Sequence, residues 1–419
     1  MGTRYGTRMR RTFLTSTLAF AAAALVSVSA QTPNRTAASW PGLWGPSRSG
    51  EAAAPASAPV LKELWRVPVA GGYSEVAVTG DAAVTMELRN GDDVVVKRDA
   101  ATGRERWAVR IAPTYKGHDG SDDGPIATPA IDEADVFAVG PHGQLVALDL
   151  ATGRERWRHD LVREFGAEVP DWGFGSSPLV IGNLVVIPSG GAKSRGLLAF
   201  DRAGGKLAWT APHSTTRGYS SPVLATIGGV RQIVGVAGDR VYGVAPADGR
   251  VLWSIAGPDP KDVVSNSPIV LPGDRVLYGT WNHSVLAKVT RTGEAFSAAE
   301  VWRSTRLRAY NGPTLHRDGL LYAFTGPQLL CVDAATGTVK WQERVGAGTL
   351  MGLGPYLVVL GQTSGELRIV RASPDRYDEV SRTNVLKPEV MSVTGPSLAG
   401  GRLFIRNVRE LAAFELMRP

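Results

Sequence analysis

Few clusters in this 419-residue chain could do chemistry. The densest is the stretch Lys116-Gly117-His118-Asp119-Gly120-Ser121-Asp122-Asp123-Gly124. Its three acids and one imidazole suit a hard cation such as calcium. The spacing does not follow an EF-hand loop, however, and the glycines read as a solvated connection. Asp123, just ahead of an apolar strand, is the acid retained as a candidate. A second set is dispersed along the chain: Tyr73, Asp123, Trp172, Tyr219, Asn266 and Tyr310, with Asn311 beside the last. Polar-tipped rings, amides and one acid suit a planar or sugar-like ligand, provided the fold gathers them. Trp281-Asn282-His283 adds a further aromatic and amide in a turn. His142, His159, His213 and His316 fall at turns or strand ends and read as surface residues. No Ser-His-Asp set, zinc-protease helix or phosphate loop is present. The single cysteine, Cys331, excludes an intrachain disulfide and a cysteine zinc cluster.

The elements that would position these residues repeat. Asp99, Thr102 and Gly103 precede Trp107, and Asp149, Thr152 and Gly153 precede Trp157. Asp201, Gly204 and Gly205 precede Trp209, and Asp248 and Gly249 precede Trp253. Thr292 and Gly293 precede a displaced Trp302, and Asp333, Thr336 and Gly337 precede Trp341. The turn glycines at 103, 153, 205, 249, 293 and 337 are 50, 52, 44, 44 and 44 residues apart. That period suits one four-stranded propeller blade. Asp caps the amides of the turn, Gly supplies a positive φ, and Trp fills the space between neighbouring blades.

A second marker precedes each turn: Thr128-Pro129, Ser177-Pro178, Ser221-Pro222, Ser267-Pro268, Gly312-Pro313 and Gly395-Pro396. Small residues and Pro suit the crowded innermost strand, with Pro confined to the strand's start. These markers place blades near 71–111, 124–161, 173–212, 218–257, 264–304, 309–345, 348–385 and 392–419. The seventh lacks its Trp, and the eighth lacks an outer strand. The orphan strand around Trp65 completes the eighth blade and closes the ring. The expected fold is all-β: an eight-bladed β-propeller of four-stranded antiparallel blades, spanning 62–419. Cys331 then occupies a small, buried strand position as core filler.

The first 30 residues carry Arg4, Arg8, Arg10 and Arg11 with no acid, then an apolar stretch and Val28-Ser29-Ala30. This is a signal peptide (1–30) cleaved after Ala30, too short and too rich in Ala and Ser for a stable membrane span. Arg10-Arg11 fits twin-arginine export as well as the general route. The chain is therefore read as periplasmic or extracellular and monomeric. Removing the leader reduces the formal charge from +7 to about +3. With no basic run interleaved with aromatics, nucleic acid is not an expected partner. Residues 31–61 have the composition of a linker, interrupted by Trp40-Pro41-Gly42-Leu43-Trp44-Gly45-Pro46.

The tandem Asp-x-x-Thr-Gly-x-x-x-Trp pattern resembles the repeat of pyrroloquinoline-quinone (PQQ) enzymes and of the BamB assembly lipoproteins. The Trp40–Pro46 motif and the stretch Phe165–Phe174 are similar to those of exported bacterial PQQ-like repeat proteins. The resemblance implies the propeller but does not transfer an activity. One cysteine cannot supply the adjacent pair that many quinoprotein dehydrogenases place against their cofactor, and no haem motif or lipidation cysteine is present. The favoured reading is a non-catalytic exported propeller without a cofactor, binding a protein, peptide or carbohydrate at one mouth of its channel. The alternative is a dehydrogenase of alcohols or sugars using PQQ with calcium.

Overall fold

The computed structural model describes residues 1–3, 39–53, 58–118, 121–189, 196–212, 218–237, 239–257, 263–308 and 312–417. Residues 4–30 of the expected leader, its cleavage site, Tyr310 and Asn311 lie outside the described residues.

Eight antiparallel sheets form the eight blades. Blade one runs Ala77–Thr79, Ala82–Arg89, Asp92–Asp99 and Glu105–Pro113. Blade eight is built from both ends of the chain. Its inner strands are Ser397–Ala399, Arg402–Arg406 and Glu410–Met417, and Val60–Pro68 is its outer strand. Val60 pairs with Met417 and Pro68 with Glu410, so the N-terminal strand closes the ring as expected from Trp65. Closure leaves no sheet edge at the seam.

Each letter of the repeat has a contact. Asp99 Oδ1 accepts hydrogen bonds from the Ala101 and Thr102 amides, both at 3.0 Å, and from the Thr102 hydroxyl at 2.9 Å. Asp333 does the same for Ala335 and Thr336. With Arg106 first among the causes, these bonds hold the Asp99 carboxyl down at about 2. The repeat indole lies on the turn of the next blade and donates its N–H to a carbonyl there, that of the residue after the Asp in four blades. Trp65 donates to Ala100 O (3.1 Å), Trp107 to Leu150 O (3.1 Å), Trp157 to Arg202 O (2.9 Å) and Trp302 to Ala334 O (3.1 Å). The turn glycine is therefore required twice. Gly103 has φ +71, and a Cβ there would lie 2.7 Å from the Trp65 indole.

Two departures follow from the same rule. Trp253 bonds Gln232 Oε1 at 2.6 Å instead, because the next blade extends this turn into the long hairpin Ser284–Thr292 and Ala295–Ser304. Blade seven lacks a Trp because blade eight takes its outer strand from the N-terminus and has no turn there to cover. Cys331 is fully buried opposite Trp341 and Tyr322, and burial pushes its thiol up to about 11.

Residues 39–52, within the span whose composition reads as linker, make specific pairings with six blades. Ser39–Trp40 adds to blade one, and the Pro41 carbonyl accepts from Ile131 N of blade two at 2.7 Å. The buried Arg48 guanidinium donates to the Pro222 carbonyl at 2.8 Å and to the Ser177 and Pro178 carbonyls. Glu51 pairs with Arg317 of blade six, and Glu51–Ala52 lies parallel to Gly352–Leu353 of blade seven. The segment crosses the channel as a plug. Composition hides this because its partners lie on six separate blades, leaving no periodic pattern along the segment.

Candidate functional site

The small residues of the inner strands form a hydrogen-bonded belt around the channel. Each amide reaches the side-chain oxygen of the next blade: Thr128 N to Ser177 Oγ (2.9 Å), Ser177 N to Ser221 Oγ (2.8 Å) and Ser221 N to Ser267 Oγ (3.1 Å). Blade one departs by placing Glu75 in the belt. The Glu75 amide donates to Thr128 Oγ1 at 3.0 Å, and its carboxylate accepts from Gly395 N and Trp44 N, each at 3.1 Å.

Above the plug, one mouth of the channel opens into a cup of about 390 Å³. A second cavity of about 290 Å³ lies on the other side, against Pro41, Arg48 and Pro178. Leu43 and Trp44 of the plug line the cup, together with Tyr73, Trp172, Tyr219, Asn266 and Trp281. Four of the residues singled out from sequence are thus brought together: Tyr73, Trp172, Tyr219 and Asn266. Trp172 is the centre of the aromatic wall, with its ring centroid 5.8 Å from both Tyr219 and Trp281 and 5.4 Å from His118. Its amide donates to Tyr219 Oη at 3.1 Å and its indole to the His118 carbonyl at 3.0 Å.

Asp123 is not among the lining residues. Its carboxylate is held by Lys116 Nζ and the Gly117 amide, both at 2.8 Å, and Lys116 first among the causes depresses its pKa. Its neighbours reach the cup instead. Ser121 lines it, and the Asp122 amide donates to Tyr73 Oη at 2.8 Å. Asp119 of this loop lies outside the described residues. Among the described residues, no group of three or more His, Cys, Asp or Glu is placed to hold a metal ion.

Sequence reasoning missed Trp44, Glu75 and Gln362 in the lining and left Trp281 outside the set. Trp281 and Gln362 sit in turns between the second and third strands of blades five and seven. Such turns return to the mouth where the innermost strand starts, a signal that strand counting could have supplied. Glu75 stands where the belt otherwise needs a small hydroxyl.

Thr128, Ser177 and Ser221 are committed to the belt, and the Ser121 hydroxyl to the His118 backbone. The described lining contains no His, Lys, Arg or Cys, and Glu75 is its one carboxylate.

Burial raises Glu75 from 4.5 to about 7, against the Trp44 and Gly395 amides and the Trp40 indole, which favour its charged form. Burial likewise raises Asp93 from 3.8 to about 7, helped by Asp123 and Asp92. Across that window the folded chain holds protons that the unfolded chain releases, so stability falls as pH rises from about 4.5 to about 7. The Glu75 contribution is on the order of 3 kcal/mol. Thermal melting should therefore drop between pH 5 and pH 8, and Glu75→Gln should flatten that drop. A Glu75→Gln profile parallel to that of the unsubstituted chain would contradict the assignment.

Among the described residues, no helix is long and apolar enough to cross a membrane.

A family profile described as "Outer membrane protein assembly factor BamB" matches residues 91–343. A curated relative from Nitrosomonas eutropha with that same description is 22% identical over 253 residues, covering 60% of this chain and 45% of its own length. The chain thus spans less than half the length of that relative. Among solved structures, BamB from Moraxella catarrhalis superposes with a TM-score of 0.61 at 16% identity, covering 86% of this chain and 99% of that one. A europium-containing methanol dehydrogenase superposes with a TM-score of 0.64 at 12% identity, covering 90% of this chain and 98% of that one. At these identities the superpositions establish the propeller alone.

PQQ is a tricarboxylate held with a divalent cation in the enzymes that use it. The described lining offers it one carboxylate, already bonded to two amides, and no cationic side chain, so the donor set does not fit that group. Membership of the matched family goes with export. The profile covers more than half of the chain and the repeat contacts match its architecture: this chain belongs to the BamB family of PQQ-repeat propellers.

Proposed function

We propose that this chain is a non-catalytic exported propeller that binds a protein or peptide partner at the plugged mouth of its channel. The observation that carries this is the cup. Rings with polar tips, from separate blades and from the plug, converge on one space, and the described lining has no His, Lys, Arg or Cys. The relatives named for outer membrane protein assembly support a protein as the partner. The mature chain starts at Gln31. Mass spectrometry of cell fractions checks this: intact chain in the cytoplasm would contradict it.

The binding test uses displayed random peptides selected on the mature protein. Selected peptides should lose about 1–3 kcal/mol of affinity on Trp172→Ala, the scale of an aromatic anchor. Melting of that variant should stay close to that of the unsubstituted chain, since Trp172 covers no turn glycine of a neighbouring blade. Peptides that bind Trp172→Ala and Trp281→Ala as tightly as the original would overturn this reading.

A further inference from the structure

We infer that the cup is selective for a cationic ammonium group, as carried by a lysine side chain or a quaternary amine; this rests on the reading of the mouth as a binding site. Three observations point there. First, Trp44, Tyr73, Trp172, Tyr219 and Trp281 all line one cavity and come from the plug and several blades. Where such rings turn their faces to the space, their electron-rich π systems attract a cation.

Second, Glu75 is the sole formally charged residue among the described lining residues. It is buried at the level of the belt, accepts from two backbone amides and has the Trp40 indole beside it, with no cationic side chain among these partners. Burial raises its carboxyl to about 7, and an entering cation is the partner that would hold it ionised. Third, Tyr73 carries a second acid at the rim. Its hydroxyl accepts from the Asp122 amide at 2.8 Å and lies 3.3 Å from the Asp122 carboxylate.

The same features disfavour the other ligand classes. An anion would meet Glu75 with no cationic side chain in the described lining to receive it. A sugar needs a dense set of planar polar groups beside a stacking face. Here the side-chain amides in the described lining are Asn266 and Gln362, and Asn266 is buried. An alkylammonium needs rings and one acid.

The test compares cations with their uncharged isosteres on the mature chain, by calorimetry and tryptophan fluorescence. Choline is paired with 3,3-dimethylbutan-1-ol, and Nα-acetyl-lysine amide with the amide of Nα-acetyl-2-aminoheptanoic acid, whose side chain ends in a methyl in place of the ammonium. At least one cation should bind ten-fold or more tightly than its isostere, and which pair shows the gap separates a quaternary amine from a lysine side chain. Glu75→Gln should narrow that gap, and Trp172→Ala or Trp281→Ala should weaken the cation several-fold, with circular dichroism confirming each fold. Isosteres that bind as well as their cations, and are lost in Trp172→Ala, overturn the charge preference and leave the mouth as a binding site. No response to any of the four probes overturns the charge preference as well. The reading of the mouth fails separately, if selected peptides ignore Trp172 and Trp281.

Discussion

Deleting residues 31–69 should abolish cooperative unfolding of the whole ring. The deletion removes Val60–Pro68, which pairs along its length with Glu410–Met417, and leaves that strand as an open edge. It takes Trp65 off Gly103 and leaves the Ala100 carbonyl without its indole partner. It also removes the plug, so Glu75 loses the Trp44 amide and the carbonyls of Pro178 and Pro222 lose Arg48. Loss of one well-packed Trp alone costs about 3–5 kcal/mol, comparable with the net stability of many domains. Melting followed by circular dichroism should show a broad, low transition or none, and exposed edge should drive aggregation. A truncated chain that melts like the full mature chain would refute both closure and the plug.

Trp209→Ala should destabilise the ring by about 3–5 kcal/mol. The side chain is 8% exposed, lies on Gly249 and donates its indole N–H to the Pro246 carbonyl at 3.0 Å. Truncation opens a cavity between two blades and leaves that carbonyl unpaired. Gly249→Ala should be damaging from the other side of the same contact: φ is +72, and the new Cβ would lie 2.5 Å from the Trp209 ring. Trp172→Ala is the internal comparison, since it removes an indole of equal size from the rim. Denaturant midpoints for these variants check the ranking. A Trp209→Ala chain as stable as Trp172→Ala would mean that the repeat Trp does not hold the blades together.

The fold was legible because its signals are local and repeated. Asp, Thr, Gly and Trp keep their spacing since turn capping, positive φ and the indole contact act within one hairpin and its neighbour. Even the blade without a Trp obeys the rule, once the borrowed outer strand is counted. The site was legible only where it used the same register. Tyr73, Trp172, Tyr219 and Asn266 precede inner strands at equivalent places, so a propeller brings them to one mouth. Asp123 shares that register, but an adjacent Lys116 turns its carboxylate into its own loop. The plug was not legible: its hydrogen bonds go mostly to carbonyls and amides, spread over five blades, and backbone partners leave no trace in side-chain pattern. Glu75 was missed because its role depends on the plug.

The central claim is that binding happens in the cup and not at the blade edges. It is tested most directly by 19F NMR of the mature chain labelled with 5-fluorotryptophan, titrated with the selected peptides. The chain has 11 tryptophans, and single substitutions assign their signals. Binding should shift Trp44, Trp172 and Trp281 and leave Trp65, Trp107, Trp157, Trp209, Trp253, Trp302 and Trp341 in place. Shifts confined to that second group, with the cup signals unmoved, would contradict the account.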